Sequence, residues 1–142
     1  SIINNIEKIK GKPFIINCYS PIGDSALKCS SLITEKLLAI GLQPNVTNGI
    51  ELNALSVDFD SGNSTNLLDK DFLLIDSFNS MYTTEYRKNY IQNLFEQAKL
   101  KKIPIILSSN VEFINPNFKI LNIRLNDEKK SHEEVLKEFL ES

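Results

Sequence analysis

The stretch SPIGDS, residues 20–25, interrupts an apolar run, PFIINCY at 13–19, and leads into the helical pattern ALKCSSLITEKLLAI at 26–40. A strand, a glycine-bearing turn and a helix in that order are the local grammar of a phosphate cradle. The working form, G-x-x-x-x-G-K-[ST], closes backbone N–H groups on phosphate oxygens, sets a Lys against the β/γ charge and offers a hydroxyl to Mg²⁺. Two registers place that pattern on this chain. Fixing Lys28 as the lysine puts Ile22 and Leu27 at the glycine positions and Cys29 at the hydroxyl. Fixing the strand end and the proline keeps Pro21 and Gly23 and puts Ser20 and Ser25, both small, at the terminal glycine positions. The lysine position is then Ala26 and the hydroxyl position Leu27. The second register preserves the length from strand to helix and is preferred. In it no cation faces a γ-phosphate and no hydroxyl holds a metal. Lys28 lies about 200° around a helix from position 26, so it does not obviously substitute. An ordinary strand–helix turn that never bound phosphate would read the same from these residues alone.

Two more polar residues close apolar runs. FLLIDS, 72–77, ends in Asp76 followed by Ser77. An Asp there can position Mg²⁺ and water, and a Glu after it would polarise the attacking water; Ser77 cannot act as a carboxylate base. IILSSN, 105–110, closes the next run with Asn110. The candidate nucleotide-binding positions, read as a remnant site, are Ser20, Pro21, Gly23, Asp24, Ser25, Asp76 and Asn110. No catalytic residue and no metal ligand is assigned. The single histidine, His132, sits beside Glu133 and Glu134 and reads as a solvated surface residue. A metal site would need more His or Cys at fixed spacing. DFDSGNSTN, 58–66, lacks the Glu that completes a calcium loop. KLKK, 99–102, reads first as a complement to a helix dipole and second as a phosphate contact. Phe78, Met81 and Tyr82 follow Asp76 closely, in a stretch that serves either the core or a partner surface.

These residues need elements to hold them. Periodicity predicts a lead-in helix over 2–12, a strand at 13–19, a helix at 26–40 ended by Gly41, and a short extended stretch from Pro44 to Val46. Alternation in ALSVDFD predicts a strand at 54–60, followed by a loop at 61–66. Strands are expected at 71–76, 103–110 and 118–125, and a helix at 85–102 capped by Thr83 or Thr84. SHEEVLKEFLES, 131–142, reads as a helix with a Ser131–Glu134 capping box. Strand–helix alternation implies an α/β fold of three layers, αβα, around a mostly parallel sheet. In such sheets ligands meet the carboxyl ends of the strands.

The totals set limits. A chain of 142 residues fits one domain, 1–142, with 1–12 as a lead-in. With 42% hydrophobic and 24% charged residues the balance is that of a globular protein, and a net charge of −2 gives no global pull toward nucleic acid. Two cysteines, Cys18 and Cys29, are too few for a disulfide scaffold and read as reduced core thiols. No run reaches the roughly 18 apolar residues of a membrane span, and the N-terminus SIINNIEKIKGK has no signal-peptide pattern. The expectation is a soluble cytoplasmic protein with no membrane partner.

With those residues identified, the chain resembles the core α/β domain of AAA+ proteins, within them the group of the replication initiator DnaA and its regulatory homologue Hda, with DnaC-type helicase loaders close by. The resemblance runs from about Lys12 to the C-terminus. SPIGDSALKCSSLITEKL has the layout of the group's phosphate-loop helix. LLDKDFLLIDSFN and NYIQNLFEQAKLKKIPIILSSN have that of its Walker B strand, the helix after it and the sensor 1 strand, with Asn110 at the sensor position. ILNIRLNDEKKSHEEVLKEFLES is similar to the last core strand and its helix. The departures are the Walker A Lys and hydroxyl, the Walker B Glu and the segment that carries an arginine finger; Arg124 is the nearby arginine and lies inside an expected strand. The sequence ends after that helix, so an AAA+-like core without a helical lid is expected. The resemblance implies a catalytically inactive regulator or adaptor of DNA replication initiation that works through protein contacts. The implied partners are the initiator, the sliding clamp or the replicative helicase, and direct DNA binding is not expected. No cofactor is expected beyond weak ADP or ATP binding through loop N–H groups. The alternatives are an active P-loop ATPase or helicase loader using Lys28, and a Rossmann-like ligand-binding domain. The last would show strand order 3-2-1-4-5 or 2-1-3-4-5.

Overall fold

Among the described residues four apolar stretches and the polar stretch PNVTN become strands, and all five run parallel. A computed structural model describes residues 13–20, 25–60, 66–78 and 85–124. The strands are β1 (Phe14–Tyr19), β2 (Pro44–Asn48), β3 (Phe72–Asp76), β4 (Ile105–Ser109) and β5 (Lys119–Arg124). The helices are α1 (Ser25–Ala39), α2 (Gly49–Asp60) and α3 (Glu85–Lys101).

Because successive strand side chains face opposite ways, each run splits into two sets. Phe14, Ile16 and Cys18 of β1 join Phe72, Ile106 and Ile123 under Ile33 and Leu37 of α1. Ile15 joins Leu73, Ile75, Ile105 and Leu107 under Leu52 of α2 and Tyr90, Leu94, Phe95 and Ala98 of α3. Both faces are covered, which is why β3 and β4 read as continuous apolar runs rather than alternating ones. The result is the three-layer αβα arrangement with a parallel sheet.

The strand order is β2-β3-β4-β1-β5. β4 pairs with β1 on one side and β3 on the other, so the Asp76 strand is separated from the strand that feeds the turn. That order is neither 3-2-1-4-5 nor 2-1-3-4-5, and it removes the Rossmann-like alternative.

One expected strand is a helix. Residues 54–60 belong to α2, which begins at Gly49. The Asn48 side-chain oxygen accepts the Glu51 N–H at 2.8 Å, an N-cap with an acid at the third helical position. Gly49, Leu52 and Ser56 are buried while Val57 is exposed, a helical stripe rather than an alternation. The extended stretch begun at Pro44 continues to Asn48.

Helix ends follow the expected chemistry. Gly41 takes φ 92°, donates to Leu38 O at 3.0 Å, and Leu42 N reaches Leu37 O at 3.1 Å, the two bonds of a Schellman turn. α3 ends in the same way with Lys102 at φ 58°. Cys18 is a buried, reduced cysteine. The lead-in helix over 2–12, the loop at 61–65, Met81 and Tyr82, the caps Thr83 and Thr84, and the terminal helix with Ser131, His132 and Glu134 all lie outside the described residues. No described helix is long and apolar enough to cross a membrane.

Candidate functional site

The carboxyl ends of β1, β3 and β4 are tied together by backbone. Ser20 N donates to Ser109 O at 3.1 Å, and Phe78 N donates to Ser108 O at 2.7 Å. The first contact fixes where the chain leaves β1 toward α1. The second fixes the turn after Asp76.

Asp76 sits in that turn, half-buried, in a closed set of bonds. The Ser108 hydroxyl donates to Asp76 Oδ1 at 2.8 Å and accepts the Ser77 N–H at 2.9 Å. The Ser77 hydroxyl lies 3.3 Å from the same carboxylate oxygen. Ser77 itself has φ 53°, a left-handed backbone that costs a non-glycine residue about 1 kcal/mol. Asp76 alternates with Phe72 and Leu74, and Ser108 with Ile106, so both fall on the α1 side of the sheet. The arrangement can orient one carboxylate toward the region where α1 begins. Among the described residues it supplies no second carboxylate there.

A second polar network lies on the opposite face. Asn17 is fully buried, and its amide donates to Val111 O at 3.0 Å and Asn122 Oδ1 at 2.9 Å. The Ser109 hydroxyl lies 2.8 Å from Asn17 Oδ1 and 2.7 Å from Val111 O. Asn122 in turn grips Phe113 through both N–H and C=O, each at 2.9 Å. Phe113 stacks edge-on against Phe78 and Phe95, with centroids 6.0 and 5.5 Å away. Together these bonds hold the segment just after Asn110 and, through Phe78, couple it to the turn after Asp76.

The expected site residues separate into three groups. Ser20, Asp76 and Asn110 come to one edge of the sheet; Ser20 is buried, Asp76 half-buried and Asn110 exposed. Asn110 carries no side-chain hydrogen bond among the described residues. Ser25 opens α1. Pro21, Gly23 and Asp24 lie outside the described residues, as do the side chains of Ser25 and Lys28. Arg124 closes β5, exposed, in register with Tyr19. Asn17 and Asn122, which brace this end of the sheet, escape a reading by motif. A polar amide inside the run IINCY is the available signal, because a buried amide must find partners.

No protein-family model matches the sequence, and no curated protein matches it. Solved structures match in fold. One is a replication initiator DnaA bound to AMPPCP and single-stranded DNA, with TM-score 0.65 and 14% identity, covering 99% of this chain and 54% of that one. A DNA replication initiation factor matches with TM-score 0.65, 15% identity and the same coverage. AMPPCP-bound DnaA from Aquifex aeolicus matches with TM-score 0.63 and 16% identity, over 99% of this chain and 54% of that one. The chain thus spans about half the length of the structures it resembles. Over the half of those structures that it spans, the chain shares their fold, a parallel αβα core of the AAA+ kind.

Proposed function

We propose that this domain is a catalytically inactive AAA+-like regulator or adaptor of DNA replication initiation, of the DnaA/Hda kind, acting through contacts with other replication proteins. The observation that carries the reading is the residue after Asp76. Where hydrolysis needs a carboxylate to polarise water, this chain has Ser77, and its N–H and hydroxyl are used within the Asp76–Ser108 set. The sequence adds Ala26 and Leu27 in place of the lysine and the hydroxyl. Backbone N–H groups at the start of α1 still support weak ADP or ATP binding, since the end of a helix attracts phosphate without any side-chain cation.

One observation favours the competing reading, an active P-loop ATPase using Lys28. Two of the similar structures hold AMPPCP. The two readings part on turnover. Phosphate release from Mg-ATP is expected to stay at the buffer background for the wild-type chain, alone and with an initiator, a sliding clamp or a replicative helicase added. Steady release that vanishes in Lys28→Ala would establish the competitor instead.

A further inference from the structure

The edge of the sheet opposite the candidate nucleotide site is basic. α3 ends in Lys99, Leu100 and Lys101, and Lys102 makes its closing turn. Lys70 stands as far before Leu73 as Lys102 stands before its pairing partner Ile105. Lys119 opens β5 at the same edge, in register with Phe14. All five lysines are exposed.

A helix dipole accounts for lysines in the last turn of α3. It does not account for two other features. Leu100 is 76% exposed in the middle of the lysines. The two carboxylates flanking Lys70 are bonded toward β2: Asp69 accepts from the Asn45 amide at 2.7 Å and Asp71 from Gln43 N at 2.9 Å. Lys70, Lys101 and Lys102 make no ion pair among the described residues. Lys99 is used locally, donating to Asn117 O at 2.7 Å and lying over the Phe118 ring, so it fixes the platform rather than offering a free charge.

We infer that this edge, Lys70, Lys101 and Lys102 around Leu100, docks an acidic protein segment that carries an aliphatic side chain between its carboxylates. A polyanion alone would have no use for an exposed leucine. Nucleic acid is met by arginine forks and aromatic stacking platforms, and the described residues of this edge offer neither an arginine nor an exposed aromatic ring. Carboxylates paired with lysines across a rim set the association rate and its salt dependence, and an apolar anchor at the centre adds lifetime. The surface lies at the end of the sheet away from Asp76, so its test and the turnover test fail independently.

The measurement is fluorescence anisotropy on the full chain with a labelled Asp-Glu-Leu-Asp-Glu peptide, and with labelled oligothymidylate as the alternative. Saturable peptide binding is expected, weakened about tenfold by combined Lys70→Glu, Lys101→Glu and Lys102→Glu, and several-fold by raised salt. Leu100→Ser, which leaves every charge in place, is expected to weaken it about fivefold. Absent peptide binding, binding indifferent to these variants, or tighter lysine-dependent binding of oligothymidylate would each overturn the assignment.

Discussion

Ser108 does more at the candidate site than its sequence position suggests. Its hydroxyl bridges Asp76 and the Ser77 N–H, so one atom holds both the carboxylate and the left-handed turn beside it. Ser108→Ala is expected to lower unfolding free energy by about 1–2 kcal/mol in urea denaturation, because a half-buried acceptor and an N–H lose their shared partner. Asn17 is the comparable residue on the other face. Asn17→Leu fits the strand and adds apolar surface, but removes the amide bonds to the Val111 carbonyl and to Asn122. It is expected to cost about 2 kcal/mol by the same measurement. A destabilisation by Asn17→Leu too small to detect would show that the network is ornamental. Asp76 and Asn110 were legible in the sequence because each ends an apolar run. Asn17 was not, since one interior polar residue looks like noise until the strands beside it are known.

At the scale of elements, caps decide what apolar patterns leave open. The residues Leu55, Val57 and Phe59 alternate as a strand does, yet the chain there is α2. The deciding feature lies upstream, in Asn48 and Glu51, where the cap nucleates a helix directly off the end of β2. Asn48→Ala is expected to cost about 1 kcal/mol, read as a lowered urea midpoint. Gly41 gives a second test. A Cβ there would meet nothing within 4 Å, so Gly41→Ala isolates the backbone cost of φ 92°. That cost is expected to be about 1 kcal/mol.

α2 and α3 also meet electrostatically. Burial first, and the Glu51 carboxylate second, push the Tyr90 hydroxyl above its ordinary 10.0. The fold therefore favours the neutral phenol. The stability tied to it is complete below the unfolded value and is lost as pH rises through the raised one. Thermal melts of the wild type are expected to fall more steeply above about pH 10 than those of Tyr90→Phe. Equal slopes would remove Tyr90 from the account.

For the whole molecule, the αβα class was legible because buried parallel strands announce themselves as uninterrupted apolar runs between helical patterns. FLLID and IILSS read so without help, and both fell within a residue or two of their observed bounds. Strand order was not legible from pattern. The strand pairings set it as β2-β3-β4-β1-β5. The same order puts Asp76 and Asn110 on neighbouring strand ends, with the exit of β1 next to them. Function lies in the charges placed on that scaffold rather than in the scaffold itself.

The proposed function requires that this AAA+-like scaffold lack the cation that would grip a triphosphate. Calorimetric titration of the wild-type chain and of Lys28→Ala with ATP and Mg²⁺ tests it most directly. The account predicts that neither binds tighter than about 1 μM, that Mg²⁺ changes little, and that the two titrations coincide. Tight, Mg²⁺-dependent binding by the wild type that Lys28→Ala abolishes would contradict it.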